Sequence, residues 1–160
     1  MSEPGPQKTD PIRPTDDEAR ALARQLLAEA RFGAIGVREP ASGAPMVTRI
    51  AVGTEGGDPV ILVSTLSNHT RALRADPACS LLVGEPGRKG DPLTYPRLTI
   101  QAMAEPAEKE VLRNGWLATH PKSTLYIDLA DFLFFRLKVR EAYLNGGFGK
   151  AYRLTAQDLR

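Results

Sequence analysis

The sequence predicts a mainly-β domain, a small antiparallel barrel or sandwich with flanking helices. Short β-type runs, AIGV, MVTRIAV, VILVS, CSLLVGE and RLTIQAMA, follow one another with Gly, Pro and Asp between them. The segment TEGGD joins two of these runs and is typical of a β-hairpin turn. Most connections are too short to hold a crossover helix, which disfavours a parallel βαβ fold.

The first element predicted is a helix that follows a disordered leader over residues 1–14. The leader carries four prolines and few side chains that could pack. The helix begins with a capping box formed by Thr15 and Glu18, and Gly33 is expected to close it. Apolar residues at helical spacing form one stripe: Ala19, Leu22, Ala23, Leu26, Leu27 and Ala30. Residues 15–160 are predicted to be a single domain.

The C-terminal half is predicted to add a second helix and two strands. The helix covers EKEVLRNGWLATH and ends at Pro121, with a buried face formed by Val111, Leu112, Trp116 and Leu117. The segment FLFFRLKV is a predicted strand, and YLNGGFGKAYRL a final strand broken by glycines. The glycines of this strand are Gly146, Gly147 and Gly149, and glycines inside a strand allow a bulge or a close approach of another backbone.

Composition and charge exclude several classes of protein. A chain of 160 residues with 42% hydrophobic and 25% charged residues is typical of one soluble globular domain. The net charge of +2 comes from basic residues scattered among acidic ones, unlike a nucleic-acid stripe or a polybasic membrane anchor. No apolar run is long enough to span a bilayer, and no signal peptide is visible. The single Cys79 fits a reducing compartment, so the predicted location is cytoplasmic.

The side chains offer little catalytic chemistry of their own. His69 and His120 are far apart, and Cys79 has no CxxC or histidine partner, which argues against a zinc site. The segment NGGFGKAY lacks the spacing and the Ser or Thr of a P-loop, and no G-x-S-x-G motif is present. Any reaction on this chain is therefore expected to use a bound cofactor.

The stretch VSTLSNHTRALRADP joins a strand end to a short helix and is a candidate anion site. The first N–H groups of a helix are unpaired and carry partial positive charge. Ser64, Thr65 and Thr70 add hydroxyls, and Arg71 adds a planar cation suited to phosphate. Simple capping of the helix by Asn68 or Thr70, with Arg71 in solvent, accounts for the same residues equally well.

The free energies of the available interactions indicate what kind of ligand such a turn would bind. Charge-assisted hydrogen bonds contribute about 1.5–3 kcal/mol each, and a helix terminus adds up to ~2 kcal/mol. Micromolar affinity needs about 8 kcal/mol after several kcal/mol of association cost. Because a phosphate alone would bind weakly, the expected ligand also has a large flat apolar body, as a nucleotide-like cofactor does.

The order of these segments resembles a known superfamily. A hairpin followed by VST-x-x-x-HTRAL-x-x-DP-x-x-SLLVGE and GDPLTYPRLTIQAMAEP is similar to the FMN-binding split barrels of the pyridoxamine-phosphate-oxidase-like superfamily. The segments GDPLTYPRLT, HPKSTLYIDLADFLFFRL and NGGFGKAYRL resemble its HugZ-type heme-utilisation branch. The resemblance covers about residues 15–160. It implies an antiparallel Greek-key split barrel, FMN as cofactor, a homodimer with FMN at the interface, and a small-molecule redox substrate.

The resemblance also implies the residues that hold FMN. By position they are Thr48, Arg49, Ile50, Ser64, Thr65, Thr70 and Arg71. Where the oxidases have Ser-Arg-Lys, this chain has His69-Thr70-Arg71, so a hydroxyl replaces one cation. Arg97 falls where the oxidases place a glutamine near the flavin, and it either restores that charge or pairs with Asp91 or Glu105.

Two departures from the superfamily separate the possible functions. The chain lacks the arginine-rich C-terminal pattern of true pyridoxamine-phosphate oxidases, so that activity is not expected. Heme-degrading relatives present a histidine near the C-terminus as heme ligand, whereas here Tyr152 stands near that place and no histidine follows His120. Tyrosine ligates heme iron in catalase. Asp128 and Asp131, in YIDLADF, either orient a ligand or cap turns.

Three functions remain open at this point. The first is an FMN-dependent oxidoreductase of unknown substrate, in which the flavin exchanges hydride and no side chain need act as acid or base. The second is a heme-binding or heme-degrading protein of the HugZ type. The third is a non-catalytic flavin or tetrapyrrole carrier, or an interaction module that retains only the barrel.

Overall fold

Residues 11–160 are described by a computed structural model, in which strands and helices surround one antiparallel barrel. The strands are β1 (Ile12–Arg13), β2 (Phe32–Arg38), β3 (Pro45–Glu55), β4 (Asp58–Ser64), β5 (Ala78–Val83), β6 (Arg97–Ala107), β7 (Phe132–Asn145) and β8 (Ala151–Thr155). The helices are α1 (Asp17–Glu29), α2 (Asn68–Ala75) and α3 (Lys109–Thr119), with 3-10 turns at Pro92–Thr94, Pro121–Leu125 and Gln157–Leu159. None of the helices in these residues is both long and apolar enough to cross a membrane.

Six strands close the barrel in the order β7-β4-β3-β2-β5-β6, and β6 pairs back onto β7. The neighbours β5-β2-β3-β4 have Greek-key order, because the strand that follows the β2-β3-β4 meander returns to lie beside β2. Strand β8 extends the sheet from β7, and β1 pairs with β8 in parallel. The predicted mainly-β barrel with flanking helices is confirmed, and closure through β6–β7 decides between barrel and sandwich.

Two clusters of buried apolar residues explain how apolar residues are distributed along the strands. Alternate residues of the barrel strands point inward, and those with no exposed surface include Ile35, Ile61, Leu81, Ile100 and Leu137. A smaller cluster involves α3 and strands β4 and β7: Val60, Leu62, Leu112, Trp116, Ile127 and Phe134. Strand β4 contributes to both clusters and is buried along almost its whole length, which explains its continuous apolar run.

The start of α1 differs from the predicted capping box. Asp16 is the N-cap, and its Oδ1 accepts a hydrogen bond from the Ala19 N–H at 2.7 Å. Thr15 instead donates its hydroxyl hydrogen to the Arg153 carbonyl at 2.7 Å, so it ties the helix entry to β8. The predicted stripe is confirmed, since Ala19, Ala23 and Leu27 are buried and the other three residues pack against the core.

The predicted end of α1 at Gly33 is wrong. The helix ends at Glu29 with Ala30 as C-cap, and Gly33 lies inside β2. A Cβ built on Gly33 would lie 2.6 Å from the Leu82 carbonyl oxygen, so this glycine allows β2 and β5 to approach closely. A glycine soon after a helical stripe favours a C-cap from sequence alone, and the strand contact is visible only in the fold.

The second predicted helix and the C-terminal strands are present, but the exposure of Val111 and the form of the last strand differ from the predictions. Helix α3 has Leu112 and Trp116 buried one turn apart, but Val111 is 65% exposed and faces away from the core. The predicted glycine-broken strand is a hairpin of β7 and β8, with Gly147 at a φ of 120° in the turn. Of the predicted leader, residues 1–10 lie outside the described residues, and Ile12–Arg13 forms β1.

Candidate functional site

The candidate site begins where β4 passes into α2. Ser64 is the last residue of β4 and Asn68 the first of α2. The Thr65 N–H donates to the Asp131 carbonyl at 2.7 Å, and the Leu66 N–H donates to Ser64 Oγ at 3.2 Å. These two bonds hold the turn in one shape before the helix starts.

Thr70 secures the helix to the strand end rather than facing a ligand. Its side chain is 0% exposed, and its hydroxyl donates to the Ser64 carbonyl at 2.6 Å. Ser67 is the N-cap and makes no side-chain capping bond, so capping by Asn68 or Thr70 is not what the structure shows. The hydroxyls of Ser64 and Thr70 are therefore engaged in shaping the turn.

The remaining polar groups of the turn are available to an anion. Among the first N–H groups of α2, those of Thr70 and Arg71 donate to the Ser67 carbonyl. The Asn68 and His69 N–H groups have no acceptor within residues 11–160, since Ser67 does not cap them with its side chain. Arg71 is exposed and donates to the Asn68 side-chain oxygen. Thr65 is half-buried, and its hydroxyl has no partner within residues 11–160. A hydroxyl, the positive end of a helix dipole and a cation thus lie within residues 65–71 of the chain.

His69 connects this turn to β3. Its Nδ1 lies 3.0 Å from Thr48 Oγ1. Burial lowers the pKa of the His69 imidazole below its ordinary value, because desolvation disfavours the charged form. His69 is therefore half-buried and held by Thr48 rather than exposed in the turn.

Thr48 also lines a cleft of about 740 Å³ on β2, β3 and β5. The apolar part of the cleft includes Phe32, Ala34, Val47 and Leu82, three of which are large and exposed. The Arg49 guanidinium lies 5.8 Å from the centroid of the Phe32 ring, in the range of a cation–π contact. A volume of this size is typical of pockets for small molecules and cofactors.

Two other predicted residues do not join this group within one chain. Ile50 is buried in the barrel core, so only its backbone could face a ligand. Arg97 pairs with Asn145 at one end of β7, while Ser64 pairs with Phe132 at the other end. Arg97 Nη1 donates to the Leu93 carbonyl at 3.1 Å. It therefore bonds the carbonyls of Leu93 and Tyr95, and within residues 11–160 it forms no ion pair with either of the expected acidic partners, Asp91 or Glu105.

A family model described as the β-barrel of CREG matches residues 14–159. The chain belongs to the CREG β-barrel family. The chain is 31% identical to Non-canonical heme oxygenase HOZ, chloroplastic, of Arabidopsis thaliana over 99 residues, which are 60% of this chain and 30% of the plant protein.

Two solved structures extend the comparison of this CREG-type barrel. A heme binding protein from Mycobacterium smegmatis is 30% identical, with a TM-score of 0.81, over 92% of this chain and 61% of that one. A pyridoxinephosphate oxidase family protein from Clostridium acetobutylicum, related to general stress protein 26, is 11% identical. It has a TM-score of 0.70 over 91% of this chain and all of that one, and shows the fold alone. The resemblance to the split-barrel superfamily is confirmed.

Three residues singled out in the C-terminal half of the CREG-type barrel have structural partners. Asp128 accepts hydrogen bonds from Arg113 Nε at 2.8 Å and Nη2 at 2.7 Å, and this hydrogen bonding lowers the pKa of its carboxyl. Asp131 contributes its carbonyl to the Thr65 N–H. Tyr152 is half-buried and packs against the barrel core. Of these, only Asp131 touches the candidate site, and it does so through its backbone, which no side-chain motif could reveal.

The lowered pKa of His69 predicts a specific pH dependence of stability. Between the folded pKa and the ordinary value near 6.5, the unfolded state binds more protons, so the free energy of unfolding rises with pH. We expect acidification from pH 7.5 to 5.5 to destabilise the wild type more than His69→Gln, measured by urea unfolding. Equal losses in the two proteins would contradict the assignment, because the carboxylates and His120 are common to both.

Cys79 is expected to be chemically inert in the folded protein. It is buried, and burial raises the pKa of its thiol to about 11, so only about 0.1% is thiolate at pH 8. Reaction with a chromogenic disulfide reagent at pH 8 should be slow for the native protein and immediate in denaturant. A rapid reaction of one thiol per native chain would show that Cys79 is accessible.

Proposed function

We propose that this CREG-type barrel is an FMN-binding flavoprotein that acts as a flavin-dependent oxidoreductase on a small-molecule substrate. The observation that carries the proposal is the position of Thr48. It contacts His69 in the polar turn and also lines the apolar cleft. A ligand with an anionic end and a flat apolar body matches this combination, and FMN has both.

The residues present fit a flavin phosphate. The amides at the start of α2, the Thr65 hydroxyl and the Arg71 guanidinium would bind the phosphate. Ser64 and Thr70 would keep the turn in shape through their internal hydrogen bonds. The apolar surface of Phe32, Val47 and Leu82 would exclude water from one face of the ring. When bound, the flavin would supply hydride transfer, which the side chains of the site do not offer.

A second copy of the chain is the proposed partner. Arg97 is separated from the turn by the length of β7, so one chain alone cannot bring it to the same ligand. Phe32, Val47 and Leu82 are exposed apolar residues on the neighbouring strands β2, β3 and β5, and exposed apolar patches of this kind mark interaction surfaces. A homodimer would cover this patch and could place the second Arg97 beside the cofactor.

The experiment is a parallel titration of the purified protein with FMN, riboflavin and hemin, preceded by its visible absorption spectrum. Riboflavin is the matched control because it differs from FMN only by lacking the phosphate. We expect micromolar FMN binding and at least about tenfold weaker riboflavin binding, as one or two lost charge-assisted bonds would produce. Equal affinities would overturn the phosphate assignment, and no FMN binding below 100 µM would overturn the flavin proposal.

Heme is the second candidate, and the relatives favour it. The chain is about 30% identical to a protein described as a heme oxygenase and to one described as heme binding, although it spans only 30% and 61% of their lengths. Tyr152 packs against the core, whereas the half-buried His69 has only its Nδ1 engaged within residues 11–160. An imidazole fixed through one nitrogen commonly ligates metal through the other.

The titration of His69 separates the two candidates. A phosphate beside the imidazole would favour its charged form and raise its pKa. Iron ligation would remove the imidazole titration altogether, since the ligand must be neutral. A pH titration of the His69 imidazole followed by NMR should therefore show a raised pKa when FMN is bound and no titration when hemin is bound. A Soret band that survives His69→Ala would exclude His69 as the heme ligand.

A further inference from the structure

A second depression lies on the outer face of the barrel, apart from the proposed flavin cleft. Its volume is about 550 Å³, and it shares no lining residue with that cleft. Its lining includes Gly36, Ala78 and Ser80, which alternate with the buried residues of β2 and β5 and so face outward. Because these side chains are small, the barrel wall is indented where β2 meets β5.

A β-bulge places an arginine at the rim of this depression. Gln101 of β6 pairs with Glu141 of β7, whereas the next residue, Ala102, pairs with Val139. Arg140 is the extra residue between them, and it is exposed beside Gln101. Bulges re-aim side chains in this way and are frequent next to functional sites. The guanidinium of Arg140 has no hydrogen bond or ion pair within residues 11–160.

The charges around the depression favour an anion. Arg38 lines it from β2, is 69% exposed, and contacts Asp76 Oδ2 only at 3.9 Å. The neighbouring acids are engaged elsewhere, because Glu141 pairs with Arg153 and the Glu39 carboxylate accepts hydrogen bonds within its own turn. Two guanidinium groups and one carboxylate, that of Asp76, therefore line the depression. Gln101 and Ser80 add neutral hydrogen-bonding groups, and Met103 adds apolar surface.

We propose that this depression binds a small organic acid, with its oxyanion on Arg140 and Arg38 and its apolar body against Met103. Arginine forks pair with oxyanions through two parallel hydrogen bonds. The volume lies within the range of small-molecule pockets. The site does not depend on the proposed flavin function, since it is built from different residues of the barrel.

The test uses the Met103 methyl group as a reporter in the full chain. The sequence has three methionines, so methyl-labelled protein gives few signals, and Met103→Leu assigns the relevant one. Benzoate and inorganic phosphate are the anionic probes, and benzyl alcohol is the neutral one, all at constant ionic strength. The variants are Arg140→Gln and Arg38→Gln, with Arg88→Gln, an exposed arginine outside the depression, as the matched control.

We expect a saturable shift of the Met103 signal with benzoate, weakened at least about tenfold by Arg140→Gln or Arg38→Gln and unchanged by Arg88→Gln. Saturation by phosphate at equal affinity would show that the oxyanion alone suffices and would overturn the apolar part of the proposal. Benzyl alcohol binding as tightly as benzoate, or no saturable shift, would overturn the anion site. A Met103 signal that depends on protein concentration and not on benzoate would also overturn it, by showing that a second copy covers the depression.

Discussion

Trp116→Ala is expected to lower the free energy of unfolding by about 3–5 kcal/mol, the usual cost of truncating a large buried aromatic. The Trp116 side chain is 3% exposed, and its Nε1–H donates to Ser123 Oγ at 2.9 Å. Its ring stacks on His120 at 3.9 Å between centroids and meets the Phe134 ring edge-on at 5.3 Å. Removing it would leave a cavity between α3 and the barrel and a buried serine hydroxyl with one fewer partner.

Urea unfolding at neutral pH measures this effect, and the same helix supplies the control. Val111 precedes the buried Leu112 but is 65% exposed, so Val111→Ala should change stability by no more than about 0.5 kcal/mol. A loss below 1 kcal/mol for Trp116→Ala would mean that the cluster under α3 contributes little to the stability of the barrel. Trp116 is the sole tryptophan of the chain, so circular dichroism should follow the transition in all variants.

Arg71→Ala is expected to raise the dissociation constant of FMN by about 10–150-fold while leaving riboflavin binding unchanged. The range corresponds to the loss of about 1.5–3 kcal/mol from a hydrogen bond to a charged group. Arg71 lies in the first turn of α2, and within residues 11–160 the hydrogen bond of its side chain is to Asn68, so the substitution removes a cation without opening the core. Flavin fluorescence titration measures both ligands under the same conditions.

Arg74→Ala is the matched control for this prediction. Arg74 is an exposed arginine in the last turn of the same helix, so it changes the net charge equally but lies away from the N-terminal amides. Long-range electrostatics would weaken FMN binding in both variants, whereas a phosphate contact would weaken it only in Arg71→Ala. Similar losses in the two variants would therefore remove Arg71 from the site.

The elements that the sequence predicted well are those whose local pattern and tertiary role agree. The short β-type runs of the barrel, the stripe of α1 and the TEGGD turn each depend on neighbours in the chain, and each was confirmed. The errors concern residues with two compatible local roles. Thr15 and Asp16 both suit an N-cap, and Gly33 suits both a helix end and a close strand contact. Only packing against β8 and β5 decided between them.

The candidate site likewise has features that neighbouring residues determine and features that only the fold determines. The sequence by itself determined that hydroxyls, a histidine and an arginine follow a buried strand, because those residues are adjacent in the chain. Only the tertiary structure decided that Thr70 is sealed inside, that Thr48 meets His69, and that Arg97 lies at the far end of β7. The same is true of the Arg140 bulge. These outcomes depend on strand register, which is set by pairings between residues distant in the chain, and a local pattern carries no information about them.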